Sequence, residues 1–398
     1  MTASAVTGTG PRRPRELLAA PGRTGRARTD PFPYIAWRRW LLRLVLALPY
    51  LLIGIVGAST GSTLAESTPN IDQLAGVAGI DWSSNDISWI GRSHPPLGTA
   101  LVSVIPGGTL GLAIVASLAA GVFLQKMIEA MHQRRFHPVK TTMFALALGA
   151  NPLFAYTVTQ NMEGFLGVAL FGLGAADMIR FIAGRDTQAG FRAGLLFMAA
   201  ALMQASGLLY VTVAALSAPL ITLARRHERG ARVANILVIL FPTLAIFACL
   251  EFLRIVFLHS SAPLIASRLS YTPERWAILP HLVTTVDGLL ILAPLVSGWA
   301  LALLVRRPGA ILISTMLFAS LIVGYVVGLI PANAGGNVYL TMIVMGVAIL
   351  PAASTTRASV LIIAVAALQV AIAWAAAFNR PVVNDWMHAL LTAAGLTS

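Results

Sequence analysis

Long apolar runs separated by short polar ones set the pattern of this chain. Crossing a bilayer core takes about 20 apolar residues in a helix. Runs of that kind fall near 40–57, 108–129, 141–158, 163–183, 233–258, 281–304, 308–330, 338–354 and 358–377. The stretch 191–224 is too long for one ordinary span. Arg185 and Arg192 stand at its start and Arg225 and Arg226 just after its end, so an even number of crossings should separate them. Two short helices turning near Gln204 to Gly207 meet that condition. The expectation is an all-α, polytopic transmembrane protein of about 11 helices.

Charge then orients the chain. Cytoplasmic loops of membrane proteins are enriched in Lys and Arg. Nine arginines lie in the first 43 residues, against Glu16 and Asp30. With that end inside, Arg134/Arg135, Arg185, Arg225/Arg226, Arg306/Arg307 and Arg357 all fall in the cytoplasm. An odd number of crossings puts the C-terminal tail, 379–398, outside. Residues 1–35 are rich in Pro, Gly, Arg and Thr without apolar periodicity, which predicts a disordered basic tail ahead of a transmembrane domain over 36–378. No short apolar run with a cleavage site follows the tail directly, so it does not read as a secretory signal.

Composition agrees with the bilayer as solvent. The chain is 57% hydrophobic and 11% charged, whereas a soluble domain carries about 25% charged residues. The formal charge of +13 sits in the tail and in short loops. That distribution is a topology signal and not a nucleic-acid groove. The single cysteine, Cys249, excludes an intramolecular disulfide framework. The Arg, Ala and Gly content suggests a GC-rich bacterium, hence an inner-membrane protein of the cell envelope.

The two longest loops, 59–95 and 259–280, are expected on the extracytoplasmic side. The first holds Glu66, Asp72, Asp81 and Asp86 with Trp82 and Trp89, and its only Lys or Arg is Arg92. Ile71, Leu74, Val77 and Ala78 recur at helical spacing, which predicts a short helix on the membrane surface. The loop ends at His94-Pro95-Pro96-Leu97-Gly98, where two fixed φ angles make a rigid start for a helix. The second loop carries Arg268, Tyr271, Glu274, Arg275 and Trp276. Asp177, Glu251, Arg254 and Asp287 lie in or near spans, where ionisable groups face a cavity or a partner. Glu251 and Arg254, three apart, share a helix face and are expected to pair. His132 and His137 have no acid between them, and no metal cluster stands out. No Gly-rich phosphate loop is present.

An acid soon after the first span followed by HPPLG at 94–98 resembles the GT-C membrane glycosyltransferases, in particular the protein O-mannosyltransferase-like branch that uses dolichyl-phosphate mannose. Asn151-Pro152-Leu153-Phe154 with Asn161-Met162-Glu163 resembles that family's turn between its third and fourth helices, which often carries a second acid. The segment 193–209 and the helix from Tyr339 to Pro351 resemble later family segments. Gln204-Ala205 stands where the family often has Arg-Pro, Asn337 precedes Tyr339 where it often has an arginine, and Asp72-Gln73 stands where it usually has adjacent acids.

The resemblance implies a polyprenyl-phosphate sugar as donor and co-substrate, with a glycan, glycolipid or protein acceptor. It implies Asp72 as the base, with Glu66 and Glu163 as further catalytic acids. Arg92, His94, Arg268 and Arg275 are candidates to hold the lipid phosphate. Asp81, Asp86, Asp287 and Tyr339 are candidates to line the cavity. Two other readings stay open. Pro106-Gly107-Gly108 and the split near Gln204 fit the broken helices of a transporter or lipid flippase. The missing arginines fit a non-catalytic GT-C-like protein that binds lipid.

Overall fold

A computed structural model describes residues 31–60, 67–83, 95–133, 136–184, 186–204, 206–221, 229–258, 269–304, 308–330 and 356–396. The described chain is helical, with no strand among these residues. The basic tail through residue 30 and the expected span 338–354 lie outside them, as do Glu66, Asp86, Arg92, His94, Arg268 and Tyr339.

The first span is α1 (Ala36–Thr60). Two short helices follow, α2 (Pro69–Ala78) and α3 (Pro96–Val104), before α4 (Gly108–Gln133). Each short helix starts at a proline, which needs no N–H partner in the first turn. The HPPLG segment therefore opens a separate nine-residue helix and not the second span itself. Its end is fixed by Pro106 and by Gly107 and Gly108, whose φ angles of 91° and 60° are natural only for glycine.

The chain continues through α5 (Pro138–Gly149), α6 (Pro152–Gln160), α7 (Met162–Gly184), α8 (Thr187–Met203) and α9 (Gly207–Ile221). One expected span, 141–158, is thus two helices broken at Asn151-Pro152. The proline ring bars α6 from continuing α5, and the Asn151 side chain caps the new helix by accepting from Leu153 N at 2.9 Å. Over 191–224 the two expected short helices are present as α8 and α9, separated at Gln204.

Beyond them lie α10 (Arg229–Leu258), α11 (Pro273–Ala277), α12 (His281–Thr284), α13 (Val286–Leu304), α14 (Pro308–Val326), α15 (Thr356–Asn379) and α16 (Pro381–Ala393). The stretch read as a C-terminal tail contains α16. Among the described residues six helices are long and apolar enough to cross a membrane: α1, α4, α7, α10, α13 and α15. Shorter apolar helices occur at Gly207–Pro219 and Ala310–Val326.

Small residues let these helices approach closely, as is usual where lipid supplies no hydrophobic drive between spans. A Cβ on Gly121 of α4 would collide with the Arg43 carbonyl of α1. A Cβ on Gly54 would lie 3.1 Å from that of Ala113. The two pairings fix α1 and α4 as antiparallel. In the same way Gly174 meets Phe197, Gly190 meets Phe181 and Gly167 meets Gln204, so α7 and α8 run antiparallel.

Two buried apolar clusters form the core. One gathers Phe123, Phe154, Phe165 and Trp386 from α4, α6, α7 and α16. The other gathers Phe171, Phe197, Tyr210 and Leu317 from α7, α8, α9 and α14.

The helix directions give the bundle two chemically different ends. At one end Arg43 Nε donates to Gln125 at 3.1 Å, Lys126 Nζ donates to Glu129 at 2.8 Å, and Phe32 stacks on His132 at 4.0 Å. Asp177 there binds Arg192 at 2.9 Å and lies 3.6 Å from Arg180. The other end carries α2, α3, the junction of α6 with α7, and α16.

Candidate functional site

The candidate site starts from the junction between α6 and α7, where the chain turns at Asn161. Helix ends leave backbone groups without intrahelical partners. One side chain from α2 serves both helices here. Asn70 Nδ2 donates to Thr159 O at 3.0 Å, and Asn70 Oδ1 accepts from Met162 N at 2.8 Å. Asn70 is fully buried. Asn161 Oδ1 accepts from Gly164 N at 2.9 Å and closes the first turn of α7.

This clamp presents Glu163, the second residue of α7, to two neighbours. Gln73, one turn beyond Asn70 on the same face of α2, donates from Nε2 to Glu163 Oε2 at 2.6 Å. Gly98 of α3 lies against the same Glu163 side chain. A Cβ there would come within 3.1 Å of Glu163 Cδ and Cγ. The second turn of α7 brings in Gly167, and the Gln204 side chain lies directly over it. Gln73 is 6% exposed and Gln204 5% exposed. Gln73 Oε1 and Gln204 Nε2 are both buried and meet no hydrogen-bond partner among the described residues. A carboxylate therefore stands among amides with unused hydrogen-bonding capacity.

Beside this group a small cleft lies under the start of α2, lined by Gly54, Gly57, Thr68, Thr109, Thr159 and Gln160. Thr68 is 1% exposed, and its Oγ1 has no partner among the described residues. The Gln160 amide and the Trp386 indole nitrogen approach Gly57 from α6 and α16.

The sequence candidates fall as follows. Glu163 is in the cluster just described. Asp72 is exposed in the first turn of α2 and accepts from Ser67 Oγ at 2.7 Å, so it sits one position from Gln73 but turns to the outside. Asp81 is exposed and accepts from Ser83 N at 3.0 Å and Ser83 Oγ at 2.6 Å, a local turn. Asp287 opens α13 and accepts from Asn379 Nδ2 at 3.2 Å. Arg275 donates to Tyr325 O at 3.1 Å and lies 5.7 Å over that ring. Asp287 and Arg275 thus have their partners on other elements and do not join Glu163 through these bonds. The HPPLG segment reaches Glu163 through Gly98. Glu66, Asp86, Arg92, His94, Arg268 and Tyr339 remain outside the described residues.

Reading α2 by its apolar periodicity missed its buried face. Asn70 and Gln73 are the residues it buries, while Ala78 is exposed and Ile71, Leu74 and Val77 are half-buried. The polar face turns inward because the α6–α7 junction offers it a free carbonyl, a free N–H and a carboxylate. The signal in the sequence was two amides three residues apart in a helix beside a membrane.

Among the described residues no group of three or more His, Cys, Asp or Glu stands together as a metal site. Compared with protein-family models, with curated proteins and with solved structures, the chain has no match.

Proposed function

We propose that the protein is a membrane glycosyltransferase of GT-C type. It would move a sugar from a polyprenyl-phosphate donor to a cell-envelope glycan, glycolipid or protein acceptor on the extracytoplasmic face. The observation that carries this reading is the meeting of three distant segments at Glu163. The helix bearing Asp72 supplies Gln73, the HPPLG segment supplies Gly98, and the Asn161-Met162-Glu163 turn supplies the carboxylate. These are the segments that resemble the family.

The charge difference between the two ends supports the orientation. Arg38, Arg39, Arg43, Lys126, Arg180 and Arg192 gather at one end, with Glu129 and Asp177 among them, whereas Arg254, Arg275 and Arg380 share the other with Asp72, Asp81 and Glu163. By the positive-inside rule the end richer in Lys and Arg is cytoplasmic, which puts α2 and α3 on the extracytoplasmic side of about eleven crossings. The setting is then a bacterial inner membrane.

In this reaction the acceptor hydroxyl oxygen bonds to sugar C1 as the bond from C1 to the phosphate oxygen breaks. The phosphate leaves with the electron pair as a lipid-linked anion. Asp72, exposed at the surface of α2, takes the hydroxyl proton. Glu163, held by Gln73 beside α3, has a negative charge suited to steadying positive character on the sugar ring as C1 loses its leaving group. Arg92, His94 and Arg268 are the proposed phosphate holders. Arg275, which donates to Tyr325 O, is the fourth proposed holder.

The test uses the full chain in liposomes with radiolabelled polyprenyl-phosphate sugars and acceptor membranes. The wild type transfers label. Asp72→Asn lowers transfer by about 100-fold or more, the range for loss of a positioned base, with thermal stability kept. Full activity in that variant moves the base role to another acid. Absence of transfer by the wild type from every donor rejects the enzyme reading in favour of a transporter, a flippase or a lipid-binding protein.

A further inference from the structure

Helix α10 is apolar over most of its length and faces outward along one side, where Phe252, Ile255 and Phe257 are exposed. On its other side it packs against α8 and α9. Arg254 lies on that inner side and is 9% exposed. A guanidinium stays charged at any accessible pH and carries five donors. Burying it in a membrane helix is costly unless those donors are met.

Glu251, one turn earlier, is the expected partner. Its carboxylate lies 3.5 Å from Arg254 Nε, an ion pair too long for a good hydrogen bond. Arg254 Nε and Nη2 are buried and have no hydrogen-bond partner among the described residues. Glu251 is the half-exposed member of the pair, with 32% of its side chain accessible against 10% for Arg254. The carboxylate therefore offsets part of the charge from one edge of the guanidinium and leaves donors unused.

Position along the helix says what could use them. At 1.5 Å per residue, Arg254 stands about 37 Å from Arg229. Arg229 and Arg254 are thus at opposite ends of a membrane-length helix. Arg254 is one turn before the last residue, Leu258, and three residues inside the end of the apolar span Arg232–Phe257, from where a long side chain reaches the headgroup region. Exposed Ile255 and Phe257 flank its face of the helix and offer apolar surface at the edges. A compact oxyanion fits a guanidinium fork, and an attached hydrocarbon chain fits that surface.

We propose that Arg254 holds the phosphate of a lipid at the Leu258 end of α10. This site stands apart from the transfer reaction proposed above and holds whether or not the protein is an enzyme. The shared chemistry is a lipid-borne phosphate, from either a membrane phospholipid or a polyprenyl phosphate.

The full chain, purified in detergent, is titrated with phosphatidylglycerol, polyprenyl monophosphate, diacylglycerol and inorganic phosphate, with native mass spectrometry as readout. At least one phosphate lipid is retained in preference to diacylglycerol and inorganic phosphate, and the preferred one identifies the source. Arg254→Gln weakens its retention roughly tenfold, the loss expected for a charge-assisted hydrogen bond, and Arg254→Lys weakens it less. Equal retention by folded Arg254→Gln overturns the proposal, as does inorganic phosphate binding as tightly as the lipids. If Arg254→Gln does not fold, Glu251→Gln decides. Removing the competing carboxylate tightens retention of the phosphate lipid several-fold, and unchanged or weaker retention overturns the proposal.

Discussion

Gln73 Nε2 donates to Glu163 Oε2 at 2.6 Å, joining positions 90 residues apart. This bond ties a short helix at the end of the bundle to the first turn of a membrane-length helix. A hydrogen bond to a charged group contributes about 1.5–3 kcal/mol. Gln73→Ala also removes an unsatisfied Oε1, which offsets part of the loss. We expect Gln73→Ala to destabilise by about 1–2 kcal/mol, read as a lower thermal midpoint in detergent. In the background of Glu163→Ala the same substitution should cost much less. Equal cost in both backgrounds would show that the bond does not couple the two helices.

Asn70 predicts a different pattern, because its two amide atoms do different work. Asn70→Leu strands Thr159 O and Met162 N together. Each buried group left without a partner costs about 1–3 kcal/mol. Asn70→Asp keeps an acceptor for Met162 N but sets a carboxylate against the Thr159 carbonyl. Both variants lose stability. Hydrogen exchange separates them, since the Met162 amide should exchange faster in Asn70→Leu and stay protected in Asn70→Asp. Protection of Met162 in both would remove Asn70 from its clamping role.

These two amides also mark the limit of what could be read in the chain. The break between α8 and α9 was legible because arginines on both sides demanded an even number of crossings and Gln204 gave a place to turn. The long spans were legible from apolar length alone. The split of α5 from α6 was missed because Pro152 lies inside an apolar run where hydropathy stays high. The inward face of α2 was missed for the opposite reason. Ile71, Leu74, Val77 and Ala78 form a correct helical pattern, but the partner surface is polar, and one helix carries no record of what it will meet. Of the candidate acids, Glu163 was placed by the Asn161-Met162-Glu163 turn, while its amide partners Gln73 and Gln204 appeared in the sequence only as departures from a family pattern.

Gly121 tests the packing of the spans directly. A Cβ there runs into the Arg43 backbone carbonyl, which cannot rotate away as a side chain would. Overpacking of this kind costs about 1–3 kcal/mol or more. Gly121→Ala should lower the thermal midpoint, and Gly121→Leu should abolish a monodisperse peak in size-exclusion chromatography. Gly298→Ala is the control, because a Cβ there meets nothing within 4 Å. If Gly121→Ala proves as stable as Gly298→Ala, the close approach of α1 and α4 is wrong.

Gly98 joins packing to the site. A Cβ at this position would touch Glu163 Cγ and Cδ at 3.1 Å, tight but against a side chain that can yield. Gly98→Ala should therefore cost under about 1 kcal/mol, whereas Gly98→Val adds bulk the carboxylate cannot avoid while held by Gln73 and should cost about 1–3 kcal/mol. The cost is specific to Glu163. In a Glu163→Ala background the valine gains space, so the two substitutions should be non-additive by about 1 kcal/mol, measured as thermal or denaturant stability of all four proteins. In the transfer assay Gly98→Val should lose activity beyond its loss of stability, because it moves the carboxylate and leaves Asp72 in place. Additive stabilities would mean that Gly98 and Glu163 are not in contact, and the meeting of α2, α3 and α7 at one carboxylate would fail with it.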